Sequence, residues 1–163
     1  MAENYIVING KKAELTSEQL KALGLERETN PFKREINNKY WFIDRFGEVD
    51  SYFDHKDLAD NHFYNIANYC TDREMMEQRA LHETLNRLLW RYSMEHGGRE
   101  IDWSSTESKY RITYDFEDNK WTLSSNSYLS TVGATYFVAR EIAENAIKEI
   151  VEPFMAEHPD FEF

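Results

Sequence analysis

Between Asp54 and His62 the chain reads Asp54-His55-Lys56-Asp57-Leu58-Ala59-Asp60-Asn61-His62, with three aspartates and two histidines in nine residues. Carboxylates and imidazoles at this density could ligate a divalent cation, and a bound metal would serve a hydrolytic enzyme or nuclease. The spacing argues against the familiar arrangements. An EF-hand needs carboxylates at alternate positions around a glycine, and this run has no glycine. Nor does it contain the helical His-Glu-x-x-His pattern of zinc hydrolases. Short aspartates and asparagines also satisfy their own backbone in Asx-turns, so a solvated loop is the simpler expectation.

Other reactive side chains are scattered. His82, His96 and His158 have no serine or cysteine at a recognisable spacing, and His96 falls where a protonated imidazole would favour a helix C-terminus. Cys70 is the sole cysteine, which excludes an internal disulfide and fits a reducing compartment. It precedes a predicted helix N-terminus, where thiol acidity can rise, but the matching position further along holds Phe137, so a buried structural role is expected. Gly97-Gly98 lacks the lysine and preceding strand of a phosphate loop and reads as a helix C-cap. Asp50, Asp54, Asp115 and Asp118 read as turn residues, with nothing in the sequence to pair them. No catalytic residue, metal ligand or cofactor motif is therefore assigned.

Charge is the stronger signal. The 163 residues carry 19 basic and 30 acidic side chains, for a net charge of −11. That argues against general nucleic-acid binding, which calls for a basic face. Residues 1–38 are neutral and most of the excess lies beyond residue 98. There Asp115, Glu117 and Asp118 occupy a predicted hairpin turn, and Glu141, Glu144, Glu149 and Glu152 a predicted helix, with Glu157, Asp160 and Glu162 following. Solubility alone accounts for such a surface. The sharper expectation is a partner-binding site of Asp115, Glu117, Asp118, Glu141, Glu144, Glu149 and Glu152, imitating phosphate spacing before a basic groove, although Lys148 interrupts the stripe. The aromatics Tyr40, Trp41, Tyr52, Trp103, Tyr110, Tyr114, Trp121 and Tyr128 lie on or beside predicted strands. With Lys39, Lys109, Arg111 and Lys120 they could form a stacking platform for single-stranded nucleic acid. Acidic neighbours make core packing or a protein-binding face the better expectation.

These residues need elements to position them. Residues 1–25 predict a hairpin around Asn9-Gly10 and a short helix at 17–23, opened by a Thr16–Gln19 capping box. Residues 26–38 read as a linker. Residues 39–98 predict a hairpin turning at Gly47, a polar stretch at 54–62, and a long helix capped by Thr71 or Asp72. Residues 99–163 repeat the theme, with a hairpin turning at Glu117-Asp118-Asn119 and a helix over about 138–156, bent by Pro153. Lys39-Tyr40 matches Lys109-Tyr110, and Arg73-Glu74 matches Arg140-Glu141, so the halves read as an internal repeat. The expected class is α+β in one domain, with two ββα units forming an antiparallel sheet and helices on one face. The start of the chain lacks a basic, apolar leader and no apolar run approaches a membrane span, so a cytoplasmic protein is expected.

Several runs are also distinctive. Lys39-Tyr-Trp-Phe-Ile-Asp to Gly47-Glu-Val-Asp, Tyr64-Asn-Ile-Ala-Asn-Tyr-Cys-Thr-Asp, Arg87-Leu-Leu-Trp-Arg-Tyr-Ser-Met-Glu-His-Gly and Lys109-Tyr-Arg-Ile-Thr-Tyr-Asp-Phe-Glu-Asp resemble a family of small uncharacterised phage and prophage proteins of Firmicutes. The resemblance spans about residues 39–160 and brings no catalytic residues with it. It implies an accessory factor in the host cytoplasm that binds a host protein without catalysis, such as an anti-CRISPR-like inhibitor of a nucleic-acid-handling defence complex. Two alternatives remain open: a metal-dependent phage enzyme or nuclease using the Asp54–His62 loop, and a virion or nucleic-acid accessory protein.

Overall fold

The structure is a computed structural model that describes residues 5–8, 11–14, 16, 19–20 and 30–162. At the start, β1 (Tyr5–Ile8) pairs antiparallel with β2 (Lys11–Glu14), Ile8 opposite Lys11. The turn expected at Asn9-Gly10 lies outside the described residues. The expected capping box forms. Thr16 N–H donates to Gln19 Oε1 at 2.9 Å, and Gln19 N–H to Thr16 Oγ1 at 3.3 Å. Most of the helix expected over 17–23 lies outside the described residues.

The first hairpin joins β3 (Lys39–Ile43) to β4 (Val49–Phe53), with Trp41 opposite Ser51 and Ile43 opposite Val49. Alternation sends these four to one face, where Trp41, Ile43 and Val49 pack with Cys70, Met76 and Ala80. Tyr40 and Phe42 project from the other face. They are covered by α1 (Leu58–Asn65) and the residues after it: Tyr40 stacks on Tyr69 with ring centroids 4.3 Å apart, and Phe42 on Phe63 at 4.3 Å. β3 is therefore packed on both sides, while Asp50 and Tyr52 of β4 stay exposed.

The long helix α2 (Arg73–Glu95) is capped by Asp72, whose side chain accepts from Met75 N–H at 3.1 Å. Its first turns face the first hairpin through Met76 and Ala80, and its later turns enter a second core through Leu85, Leu89 and Tyr92. There it meets β5 (Lys109–Asp115) and β6 (Lys120–Asn126), whose Tyr110, Ile112, Trp121 and Leu123 share a face, and α3 (Arg140–Ala146) with its continuation. Burying each side chain of leucine or phenylalanine size stabilises the fold by about 2 kcal/mol.

After α3 the chain widens into a π turn, Ile147–Val151, then resumes as α4 (Glu152–Glu157). Glu152 N–H donates to Ile147 C=O, five residues back. Pro153 explains the widening. It has no N–H for an i−4 carbonyl and its ring would crowd that carbonyl, so the preceding turn opens. The expected bend at Pro153 thus takes the form of one inserted residue.

The α+β class and the hairpin–helix units are as expected, but the hairpins do not merge into a four-stranded sheet. Among the described residues the strands form three separate antiparallel pairs. The free edge of β3 is taken by its own chain: Trp41 N–H donates to Cys70 C=O at 2.7 Å, and Cys70 N–H to Trp41 C=O at 3.0 Å. Tyr110 and Phe137 do the same for β5, at 3.0 and 2.8 Å. These bridges match Trp41 to Tyr110, one residue away from the Lys39-Tyr40 to Lys109-Tyr110 alignment. In a strand, one residue exchanges the faces. The helices keep the expected alignment, and Arg73–Glu77 and Arg140–Glu144 form equivalent ion pairs at 2.8 and 3.0 Å.

Residues 30–38 are no loose linker. Thr71 N–H donates to Pro31 C=O at 2.7 Å, and Asn37 and Asn38 exchange backbone bonds with Asp54 at 2.8 and 2.9 Å. After α2, Gly97 adopts φ +89° and Gly98 packs against the helix end. A Cβ on Gly98 would lie 2.3 Å from Ser93 Oγ and 2.7 Å from Ser93 C=O. That serine is buried and donates to Tyr136 C=O at 2.5 Å, tying α2 to the second unit. Gly98→Ala is expected to lower stability by about 2 kcal/mol, read as a lower urea midpoint. No helix among the described residues is long and apolar enough to cross a membrane.

Candidate functional site

Of the Asp54–His62 run, two aspartates are built into the interior and the other seven residues are exposed. Asp54 and Asp60 are both fully buried, and residues 58–65 are helical rather than a solvated loop. The helix forms because Asp57 caps it. Its side chain accepts from Asp60 N–H at 3.0 Å, while Asp60 accepts from Asp57 N–H at 3.1 Å, an all-aspartate capping box.

Both buried carboxylates are surrounded by donors. Arg34 grips Asp54 in a fork, Nε to Oδ2 and Nη2 to Oδ1, each at 2.6 Å. Tyr69 hydroxyl donates to Asp54 Oδ2 at 3.1 Å and Lys56 N–H to Oδ1 at 2.8 Å. Asp60 accepts from Tyr40 hydroxyl at 2.8 Å and from His55 N–H at 2.7 Å. Arg34 also donates to Asn61 Oδ1 at 2.8 Å and lies 5.0 Å from the Tyr64 ring centroid.

Protonation follows from these contacts. The Arg34 guanidinium, against the opposing effect of burial, lowers the Asp54 carboxyl to about 2, with help from Lys56 N–H and Tyr69 hydroxyl. Burial alone would raise Asp60, but the Tyr40 hydroxyl and two backbone N–H groups outweigh it and hold the carboxyl below its ordinary value. Burial, reinforced by Asp54, pushes Tyr69 up to about 12, and Tyr40 is raised by burial and Asp60. Ionised aspartates thus face neutral tyrosines and one arginine. This is the chemistry of a lock, with the carboxylate oxygens engaged inside the protein. His55 and His62 are exposed, and no group of three or more His, Cys, Asp or Glu among the described residues is placed to hold a metal ion.

The seven acidic residues fall into two groups. In the β5–β6 turn Asp115 Oδ1 accepts from Glu117 and Asp118 N–H at 3.0 and 3.2 Å, and Asp118 pairs with Lys120. Glu117 projects from that turn, exposed. On the helix Glu144 pairs with Arg140, and Glu149 turns toward α2 to accept from the Tyr92 hydroxyl, which burial and this carboxylate raise. Glu141 and Glu152 are exposed, with no ion pair among the described residues. The π turn rotates Glu152 by about 100° relative to a regular helix, closer to the line of Glu144 than to that of Glu141.

The aromatics do not share one exposed face: Tyr52 and Tyr128 are exposed, but Tyr40 is buried in the polar network, and Tyr110 and Trp121 pack on the core. Lys109 is only 3% exposed, and its Nζ donates to Ser105 C=O, Ser105 Oγ and Ser127 C=O, each at 3.1 Å. Arg111 bonds Ser124 and Thr131. Cys70 is buried, which pushes its thiol up, opposite to activation. His82 packs on Phe161, and His96 stacks on Tyr92 and contacts its carbonyl at 2.8 Å.

Arg34, Tyr40 and Tyr69 escaped sequence reasoning because each lies 15 to 20 residues from the carboxylate it bonds. The one local signal was Asp57-x-x-Asp60, a capping pattern with acid at both ends. Comparison with protein-family models, curated proteins and solved structures gives no match.

Proposed function

We propose that this protein acts without catalysis, by presenting a carboxylate-rich surface to a basic partner protein. The carrying observation is the division of its acidic groups. The buried aspartates are locked by arginine, tyrosine and backbone donors, whereas Glu117, Glu141 and Glu152 stand exposed without an ion pair among the described residues. Unpaired carboxylates at a surface repel one another and attract a basic surface, chiefly by accelerating encounter. The resemblance to phage and prophage proteins supports a partner in the host cytoplasm, and an inhibitor of a nucleic-acid-handling defence complex is the specific form.

The test is a pull-down from host lysate with the wild-type protein and a Glu117→Gln/Glu141→Gln/Glu152→Gln variant, followed by mass spectrometry. A partner should be retained by the wild type at low salt, released as salt rises, and retained poorly by the variant. Absence of any partner at low salt, or equal retention by the variant, would sink the reading.

A further inference from the structure

A cleft of about 520 Å³ lies between the Gly47–Val49 turn, the first half of α2 and the segment from Glu157 to Phe161. Its floor is apolar, formed by Val49, Ala80, Leu81 and Phe161. The rim carries Glu48, Glu157 and Asp160, all exposed and without an ion pair among the described residues. No lysine or arginine lines it. Glu77, also at the wall, is held by Arg73, and Arg87, which approaches Gly47, is held by Glu83.

We infer that this cleft receives a long basic side chain, arginine or lysine, presented by the partner protein. Such side chains lay their methylene stems on apolar surface while the charged head stays in a polar rim. The floor suits the stem and three carboxylates suit the head, so the complementarity is both apolar and electrostatic. The cleft is also held open by the backbone. Gln78 grips the Glu157–Phe161 side through Asp160 C=O at 2.8 Å and Glu162 N–H at 2.9 Å. Gly47, in the left-handed region at φ +89°, sets the turn on the opposite side. The inference rests on the proposed binding of a basic partner, but it assigns the contact to residues apart from Asp115–Glu152.

The probe is the blocked tripeptide acetyl-Gly-Arg-Gly-amide, titrated into ¹⁵N-labelled full-length protein. The lysine peptide and the citrulline peptide, a neutral isostere of arginine, serve as comparisons. A cleft occupant should shift the Gly47, Glu48, Gln78 and Phe161 amides with arginine or lysine and not with citrulline. A Glu48→Gln/Glu157→Gln/Asp160→Asn variant should weaken binding about tenfold, the scale of three exposed charge contacts together. All three substitutions are at exposed positions, so the fold is retained. Equal shifts with citrulline, or an unchanged affinity in the variant, would overturn the inference. Shifts confined to Glu117, Glu141 and Glu152 would also overturn it while leaving the acidic-surface reading intact. Shifts at neither place would count against both.

Discussion

Replacing Arg34 by alanine is expected to lower the folding free energy by about 3–5 kcal/mol near neutral pH, the usual cost of removing one partner from a buried ion pair. Asp54 has no exposed surface, and two of its contacts at 2.6 Å come from this one guanidinium. Without it a carboxylate held at about 2 faces the full penalty of burial, and protonation becomes its escape. The loss should therefore depend on pH. A carboxyl whose folded pKa is depressed contributes stability above its unfolded value near 4, and that contribution disappears as pH falls toward 2. A shift of this size corresponds to roughly 2 kcal/mol of wild-type stability lost across that window. The gap between wild type and Arg34→Ala should shrink over the same range. Urea unfolding at pH 7 and pH 3 measures it, and a gap that stays constant with pH would show that the pair is not the cause.

This network shows where the sequence was legible and where it was not. Hairpins and helices followed from local patterns. Tyr110, Ile112, Trp121 and Leu123 alternate and do share the core face, and Asp72 caps the long helix. A strand's faces and a helix's cap are set by neighbours in sequence, so one chain suffices to read them. The joined sheet failed for a different reason. Whether an edge stays open depends on backbone donors elsewhere, and Cys70 and Phe137 claim those edges through loops with no β pattern. Helix α1 was missed because its residues lack apolar periodicity. Its one buried residue is Asp60, held by the Tyr40 hydroxyl, and its apolar contact with the hairpin comes from Phe63, stacked on Phe42.

The candidate site divides along the same line. That Asp115 and Asp118 serve the turn was legible, because Asx geometry is local. That Glu149 meets the Tyr92 hydroxyl, or that Glu48 meets Glu157 and Asp160 across a cleft, depends on contacts over long sequence separation. Counting charge could not sort paired carboxylates from those without an ion pair, because that distinction depends on the fold.

The segment after α4 carries the second large effect. Phe161 is 6% exposed, with its ring centroid 4.7 Å from that of His82 and 5.6 Å from that of Phe154, inside the core that joins α2 to the second unit. Phe161→Ala is expected to cost about 3–4 kcal/mol, as deletion of a buried aromatic ring leaves a cavity. Phe161→Leu keeps most of the volume and should cost less than about 1.5 kcal/mol. Gln78→Ala removes two hydrogen bonds to the backbone of this segment and should cost about 1–2 kcal/mol. Because Gln78 and Phe161 hold the same stretch of chain, their effects should not add, and the double variant should fall short of the sum. Urea unfolding of the three single variants and of Gln78→Ala/Phe161→Ala measures this. Full additivity would mean that the clamp and the ring anchor independently. Phe161→Ala costing under about 1 kcal/mol would mean that the segment contributes little to the core, and the cleft it borders would then lose its fixed wall.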